Sequence, residues 1–415
     1  MAQDKNYQVA VIGGGAAGMM AAISARRHGA DVVILERNPR IGKKILVTGN
    51  GRCNYTNIHA GDVKHYHGQN PKFVYSALSQ FNVEQTINFF ERLGIAPKVE
   101  DGGRVFPMSD QASSVLDVLR YELERTGVEV ICDAFVNNIE RIGDKFRIST
   151  EQGLAVSADR VVVAMGGKAK PSTGSDGNGY DLVKKLGHTI IDIFPGLVQL
   201  KLEGNFFHQI KGVKTVGTVE LISGNKRLGR ERGDILFADY GVSGPPVFQL
   251  SRKAAELIYR GKEAILKISI IDTMNLEELD QMLRRRFEYG PQKTVEFSLV
   301  GLINKRLINV ILKQAGIRNP RLPVANISAQ ERRQIASILT DWRLVVTGTK
   351  SWPSAQVTAG GVDSREIDQR TMESKKIKGL FFAGEIIDID GDCGGFNLQW
   401  AWSSGYVAGA NAAKR

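Results

Sequence analysis

Residues 7–36 read YQVAVIGGGAAGMMAAISARRHGADVVILE, and the fold follows from them. The Val/Ile-rich run at 9–12 has the look of a buried parallel strand, and it leads directly into Gly13-Gly14-Gly15-Ala16-Ala17-Gly18, a GxGxxG turn. Small residues continue at helical spacing to His28, Gly29 supplies a helix stop, and a second apolar run at 32–35 ends on Glu36. Gly13 permits the tight turn, Gly15 lets a pyrophosphate approach the backbone, and Gly18 lets helix and strand pack closely. Ala16 and Ala17 then open the helix whose N-terminus faces the phosphates, and Glu36 stands where a carboxylate accepts ribose hydroxyls. Glycine turns are common. A turn in register with strand, helix, second strand and acid is the fingerprint of dinucleotide binding.

Working outward, 415 residues exceed one ordinary core and imply two or three domains. An apolar content of 42% and a charged content of 24% describe a globular protein, and no run of about 18 apolar residues is present to span a membrane. Six residues precede the first apolar strand with no signal-peptide core, which gives a cytoplasmic expectation. Cys53, Cys132 and Cys393 form no CxxC, which fits a reducing compartment and excludes a disulfide framework. The net charge of +11 is uneven: residues 281–343 hold 12 Lys/Arg against 4 Asp/Glu. A solvated helical face is the plainer account of that surplus, with an acidic partner or nucleic acid as the alternative. The six histidines show no metal-ligand spacing, so no metal is expected, and His65 and His67 read as solvated loop residues.

Residues 38–57, NPRIGKKILVTGNGRCNYTN, form a long polar loop after Glu36 and Arg37, and place Lys43, Lys44 and Arg52 where phosphates and cofactor should lie. From Gly42 onward this loop resembles the GGKxxxTGNGRCNxTN signature of the HI0933-like or BaiN-like flavoproteins, with Ile41 where a glycine often stands. The resemblance implies an FAD-dependent oxidoreductase and adds Gly51, Cys53 and Asn54 to the cofactor contacts. Residues 104–109, RVFPMS, resemble the same family's RVFPxS segment, which makes Arg104 a candidate for holding an anionic substrate or flavin edge. By the same resemblance the backbone near Val136 packs on adenine.

Residues 158–167, ADRVVVAMGG, read as a buried strand ending on a glycine pair, and resemble the ATG-type strand of two-dinucleotide-binding flavoproteins, with Gly166 at the cofactor and Met165 replacing threonine. Residues 170–188 are similar to a segment of the fumarate reductase flavoproteins, which implies a shared FAD module. From residue 191 to 272 short apolar runs broken by glycines predict an antiparallel barrel or sandwich. Within it LFADYGVSGPP, at 236–246, resembles the family's LFTxxGxSGP loop and offers Tyr240 as a candidate catalytic residue. Residues 273–343 turn helical and basic, with Ser328 and Glu331 spaced as a capping box.

The chain is expected to return to its first domain at 344–415. GLFFAGEIIDIDGDCGGFNLQWAWSSG, at 379–405, gives a strand, Gly384-Glu385, an acidic glycine-rich loop and a helix, and resembles the family's AGExxDxxGxxGGYNLQxAxxSG. This layout implies an acid at the ribitol, with Asp390 the best placed of Glu385, Asp388 and Asp390, and the amides of Asn397 and Leu398 at the flavin pyrimidine. The fold class is therefore α/β: a Rossmann-type FAD domain, 1–190 and 344–415, with an inserted barrel, 191–272, and a helical insert, 273–343. The expected activity is hydride or electron transfer through flavin N5 to a small molecule. Since no second fingerprint follows residue 158, NADH or NADPH would serve only as a transiently docked reductant. Alternatives are an RNA-binding or RNA-modifying flavoprotein using residues 281–343, and a non-enzymatic flavin redox sensor. Cys53 and Cys393, both in loops expected near the flavin, enter as a candidate redox pair, with Cys53 a candidate catalytic residue.

Overall fold

The computed structural model describes residues 5–414 and carries the run at 9–12 as the inner half of strand Lys5–Ile12, with Val9, Ala10 and Val11 fully buried. A strand with no exposed face must be covered on both sides, the condition met by a parallel sheet between helices. It pairs in parallel with Val32–Leu35 and with Ala155–Val163. The sheet runs Glu129–Ile131, Val32–Leu35, Lys5–Ile12, Ala155–Val163, Lys145–Thr150, Val136–Ile142. Strand Ala155–Val163 serves two further neighbours. Its first half pairs antiparallel with Lys145–Thr150, and Val161, Val162 and Val163 pair in parallel with Leu380–Phe382, so the C-terminal return joins the sheet's centre.

Two helices carry what the sheet positions. The first, Ala16–Arg27, and the last, Phe396–Ala412, cross on small residues: a methyl group added at Gly405 would lie 2.4 Å from the Ala17 carbonyl oxygen, and one at Gly409 would lie 2.1 Å from that of Ala21. Both numberings rise together, so the helices run parallel. Gly405 is nine positions into its helix and Ala17 one into its own, a difference of eight residues; at 1.5 Å rise per residue the last helix projects about 12 Å beyond the first.

These elements belong to one compact unit, Met1–Pro195 with Ala355–Arg415; Gly196–Ser354 is a second. The second unit is built on a closed antiparallel barrel ordered Leu200–Leu202, Gly241–Ser243, Lys226–Ala238, Lys214–Ser223, Ile265–Ser269, Trp342–Thr349. Helices Leu276–Glu288, Lys305–Gln314 and Ala329–Thr340 interrupt the chain between its last two strands. Two start on capping boxes, Asn275 with Glu278 and Ser328 with Glu331. The contact boundaries fall at 195/196 and 354/355. Strand Ile190–Gly196 lies beside Val357–Val362, and Trp342–Thr349 closes the barrel, its residues 342–347 alternating buried and exposed.

Candidate active site

At the phosphate end, Gly13 takes φ +101, and a side chain there would strike the Ala164 carbonyl. At Gly18 an added methyl would sit 1.8 Å from the Gly13 carbonyl oxygen, so the helix is seated on the turn it follows. Gly15 differs. Its φ is −79, and a methyl there would meet no described atom within 4 Å. The first helix thus starts from an open glycine with no side-chain cap and no acid in its first turn, leaving its N–H groups for an outside acceptor. Ala16 and Ala17 begin that helix, Ala17 buried beneath Gly384, whose added methyl would lie 2.7 Å from the Ala17 Cβ.

Glu36 is 7% exposed and held from two sides: Oε2 accepts from the Gly14 N–H at 2.7 Å, and Oε1 accepts from the Asn38 N–H at 2.8 Å and from Asn38 Nδ2 at 2.7 Å. Sequence reasoning named the acid but missed Asn38, which fixes it; an Asx residue two positions after the acid was the available signal. Arg37 pairs with Asp176 at 2.6 Å and lies over the Phe135 ring.

The loop at 38–57 winds tightly, with φ of +54, +56, +84 and +60 at Gly49, Asn50, Gly51 and Cys53, which accounts for glycine and asparagine in TGNGRC. Lys43 is exposed, whereas Lys44 Nζ bonds Glu385 at 2.5 Å and ties the loop to the C-terminal return. The other Glu385 oxygen accepts from the Thr358 N–H. Arg52 braces the loop by pairing with Glu100 and Asp110 over the Phe106 ring. Asn54 Oδ1 accepts from the Val105 N–H. Burial pushes the Cys53 thiol up to about 12, a group held protonated away from solvent and unsuited to nucleophilic attack.

At the far end, Asp390 is 2% exposed in strand Asp390–Gly391, paired with Tyr66–His67. The last helix starts, like the first, on an uncapped glycine, Gly395, with no acid in its first turn. The Asn397 side chain accepts from the Gly391 N–H and donates to the Gly391 and Asp392 carbonyls, closing the loop onto the helix that presents the Asn397 and Leu398 amides. His65 and His67 are not solvated loop residues. His65 Nδ1 bonds one Asp392 oxygen at 2.9 Å and His67 Nε2 the other at 2.7 Å, and the His65 ring stacks on Phe396 at 4.3 Å. Burial pushes the Asp392 carboxyl up, but the two histidine bonds more than offset it and hold it below the usual range. This carboxylate with its two imidazoles was missed because the partners lie far apart in sequence; among the described residues no group of three such side chains is arranged to hold a metal.

Val136 begins the edge strand Val136–Ile142, and Gly166, at φ +72, follows the central strand Ala155–Val163. Arg104 is exposed, donates to the Asp101 carbonyl, and would have its Cγ 3.7 Å from a methyl at Gly394. Tyr240 belongs to the second unit, with Lys350 Nζ over its ring at 4.6 Å.

These features fit FAD. Two uncapped helix starts, one on the open Gly15 and one on Gly395, where an added methyl would strike the Thr56 carbonyl, lie offset by about 12 Å and would suit a pyrophosphate and a charged pyrimidine edge, with a fixed acid beyond the first.

Comparison with known proteins agrees with this architecture. The chain is 40% identical over 410 residues to the 3-dehydro-bile acid delta(4,6)-reductase of Clostridium scindens, covering 98% of this chain and 99% of that one. It is 31% identical over 404 residues to the ribosomal RNA dihydrouridine synthase of Escherichia coli, covering 97% of each. A solved quinol–fumarate reductase with menaquinol shares the fold at a TM-score of 0.51 and 15% identity, covering 99% of this chain and 71% of that one. The model of the HI0933-like protein Rossmann domain matches residues 7–411, and the chain belongs to that family.

Proposed function

We propose that the protein is an FAD-dependent reductase that adds a hydride and a proton across a C=C bond conjugated to a carbonyl group. The observation that carries this reading is the pair of helix starts described above, both without a side-chain cap or an acid in the first turn, which suits a dinucleotide whose far end takes negative charge when reduced. The names of the two relatives add the bond. A 3-dehydro-bile acid with double bonds at positions 4 and 6 and a uracil ring in RNA both hold an alkene in conjugation with a carbonyl. In each, hydride addition at the β-carbon places charge on the carbonyl oxygen and a proton completes the α-carbon.

Bound here, FAD would supply the two-electron chemistry, and reduced nicotinamide, NADH or NADPH, docking transiently would reload it. The chain's residues hold and tune it. Gly13, Gly15, Ala16, Ala17 and Gly18 seat the pyrophosphate, and Glu36 takes the adenosine ribose. Lys43, Lys44, Gly51 and Asn54 line the cofactor body, with Val136 and Gly166 beside it and Gly384, Glu385 and Asp390 at the ribitol. The Asn397 and Leu398 amides meet the pyrimidine edge. Arg37, Arg52 and Cys53 act one step back, through their pairing with Asp176, with Glu100 and Asp110, and through burial. Asp392 with His65 and His67 holds a proton beside the last helix, and the exposed Arg104 guanidinium offers a carbonyl or carboxylate a donor. Free cysteines suit a reducing, cytoplasmic setting.

The experiment is anaerobic. FAD uptake is measured by absorbance, NADH or NADPH is added to bleach the flavin, and a 3-oxo-4,6-diene steroid or a uridine-containing RNA is then mixed in. Return of the oxidised spectrum with a saturated product supports the reading. Failure to bind FAD, or a reduced flavin that no conjugated alkene reoxidises, overturns it.

A further inference from the structure

The charge of the chain is divided between its units very unequally. Met1–Pro195 with Ala355–Arg415 holds 30 Lys/Arg against 29 Asp/Glu, while Gly196–Ser354 holds 25 against 15 and so carries ten of the eleven net positive charges. Over the barrel much of this is neutralised in place: Lys211 pairs with Asp239, Lys214 with Asp234, Arg232 with Asp272, and Arg227 and Lys267 share Glu220. The surplus collects elsewhere. Residues 289–330 contain six Lys/Arg and one acid, Glu296. Among the described residues none of the six is in an ion pair.

Four of the six, Lys293, Lys305, Lys313 and Arg321, are joined by contacts into one patch. Lys305, Asn309 and Lys313, each exposed, recur at every fourth position of helix Lys305–Gln314 and form one stripe. Asn309 Nδ2 donates to Glu296, which ties the stripe to the short helix Val295–Ser298 and blunts the one acid nearby. The Glu296 and Val295 N–H groups bond the Pro320 and Leu322 carbonyls, and so bring Arg321 alongside. Lys293 lies over the Phe297 ring at 5.9 Å, and that ring is itself 58% exposed. Tyr289, at the start of the same turn, is 88% exposed.

We propose that this face of the second unit, Lys293, Phe297, Lys305, Lys313 and Arg321, docks the phosphate backbone of single-stranded RNA. Cations spaced along a stripe suit a polyanion, and an exposed ring among them gives a base a surface to stack on. A small carboxylate substrate would use one of these charges and leave the rest unexplained. The step done to the RNA rests on the function proposed above: a hydride adds at uracil C6 and a proton at C5, two electrons leave the reduced flavin, and a nicotinamide donor restores them. Docking itself does not depend on that step.

The test is fluorescence anisotropy of the whole, FAD-loaded protein with a labelled oligouridylate of about 16 nucleotides. Four phosphate contacts to a single strand give about a fiftyfold loss of affinity between 50 and 200 mM salt. The double variant Lys305→Glu/Lys313→Glu is expected to weaken binding at least tenfold. Lys184→Glu/Lys185→Glu, with the same charge change at two exposed lysines of the other unit, should stay within twofold. Phe297→Ala is expected to weaken binding while keeping the salt slope. Melting temperature and flavin absorbance, unchanged in each variant, show that it folds. Equal losses in both doubles, no loss in either, or tighter binding to phosphatidylserine vesicles or polyglutamate than to the RNA would overturn the proposal. Enone reduction measured on the same samples reports separately on the function itself.

Discussion

Gly15 and Gly18 sit three residues apart and answer to different demands. Gly15→Ala adds a methyl to open space at an ordinary φ, so the FAD-free protein should melt within about 3 °C of the parent. The same methyl occupies the path of a pyrophosphate, and FAD affinity should fall at least tenfold, about 1.4 kcal/mol. Unchanged affinity by flavin fluorescence titration would mean that nothing approaches there. His188 tests a different balance. Its side chain is fully buried between Glu366, 3.1 Å away, and Ser374, with Lys376 bonded to the same glutamate and Phe382 edge-on to the ring. Burial lowers the His188 pKa, so its stabilising neutral form is complete above the unfolded value of about 6.5 and is lost as pH falls below it. Glu366 stays ionised there: burial pushes it up, but its bonds to Lys376 and Thr189 bring it down to about 2. The melting temperature should therefore decline between about pH 7 and 5 in the parent and stay level in His188→Gln; parallel profiles would remove His188 as the cause.

Among elements, the crossing of the first and last helices controls the site from a distance. Gly409→Ala puts a methyl 2.1 Å from the Ala21 carbonyl oxygen, an overpacking that costs about 1–3 kcal/mol. Because that crossing sets the overhang of the last helix, FAD affinity should fall with the melting temperature, although residue 409 is far along the helix from its N-terminus. A stability loss with intact affinity would separate the two. This level is also where the sequence was most and least legible. Both glycine turns could be read because their φ values and close approaches admit little else, as at Gly13 and Gly18. The capping box at Ser328 and Glu331 was legible because its partners are three residues apart. The bonds of His65 and His67 to Asp392, and of Lys44 to Glu385, could not be read, since nothing local signals a partner more than three hundred positions away. Strand Trp342–Thr349 alternates cleanly but follows a helix without a break, so its membership of the barrel was masked.

For the whole molecule, two units with separate cores give a calorimetric expectation. FAD at a hundredfold excess over its dissociation constant stabilises what it binds by about 2.7 kcal/mol. If the site lies within Met1–Pro195 and Ala355–Arg415, one transition should move and the other stay; equal shifts would show that the units melt as one. Fold class and family were legible end to end, because the motifs that carry them lie at both ends of the chain. Substrate was not, since the second unit's character emerges only once its charges are divided into those with acid partners and those without.

The strands Ile190–Gly196 and Val357–Val362 lie side by side in the first unit, and Leu200–Leu202 pairs with Trp342–Thr349 in the second. The chain therefore leaves and returns at neighbouring points, and everything between 196 and 354 is a cassette with its two cut ends already aligned. Such a cassette can be reshaped from within while the glycine turns of the first unit keep the backbone they need.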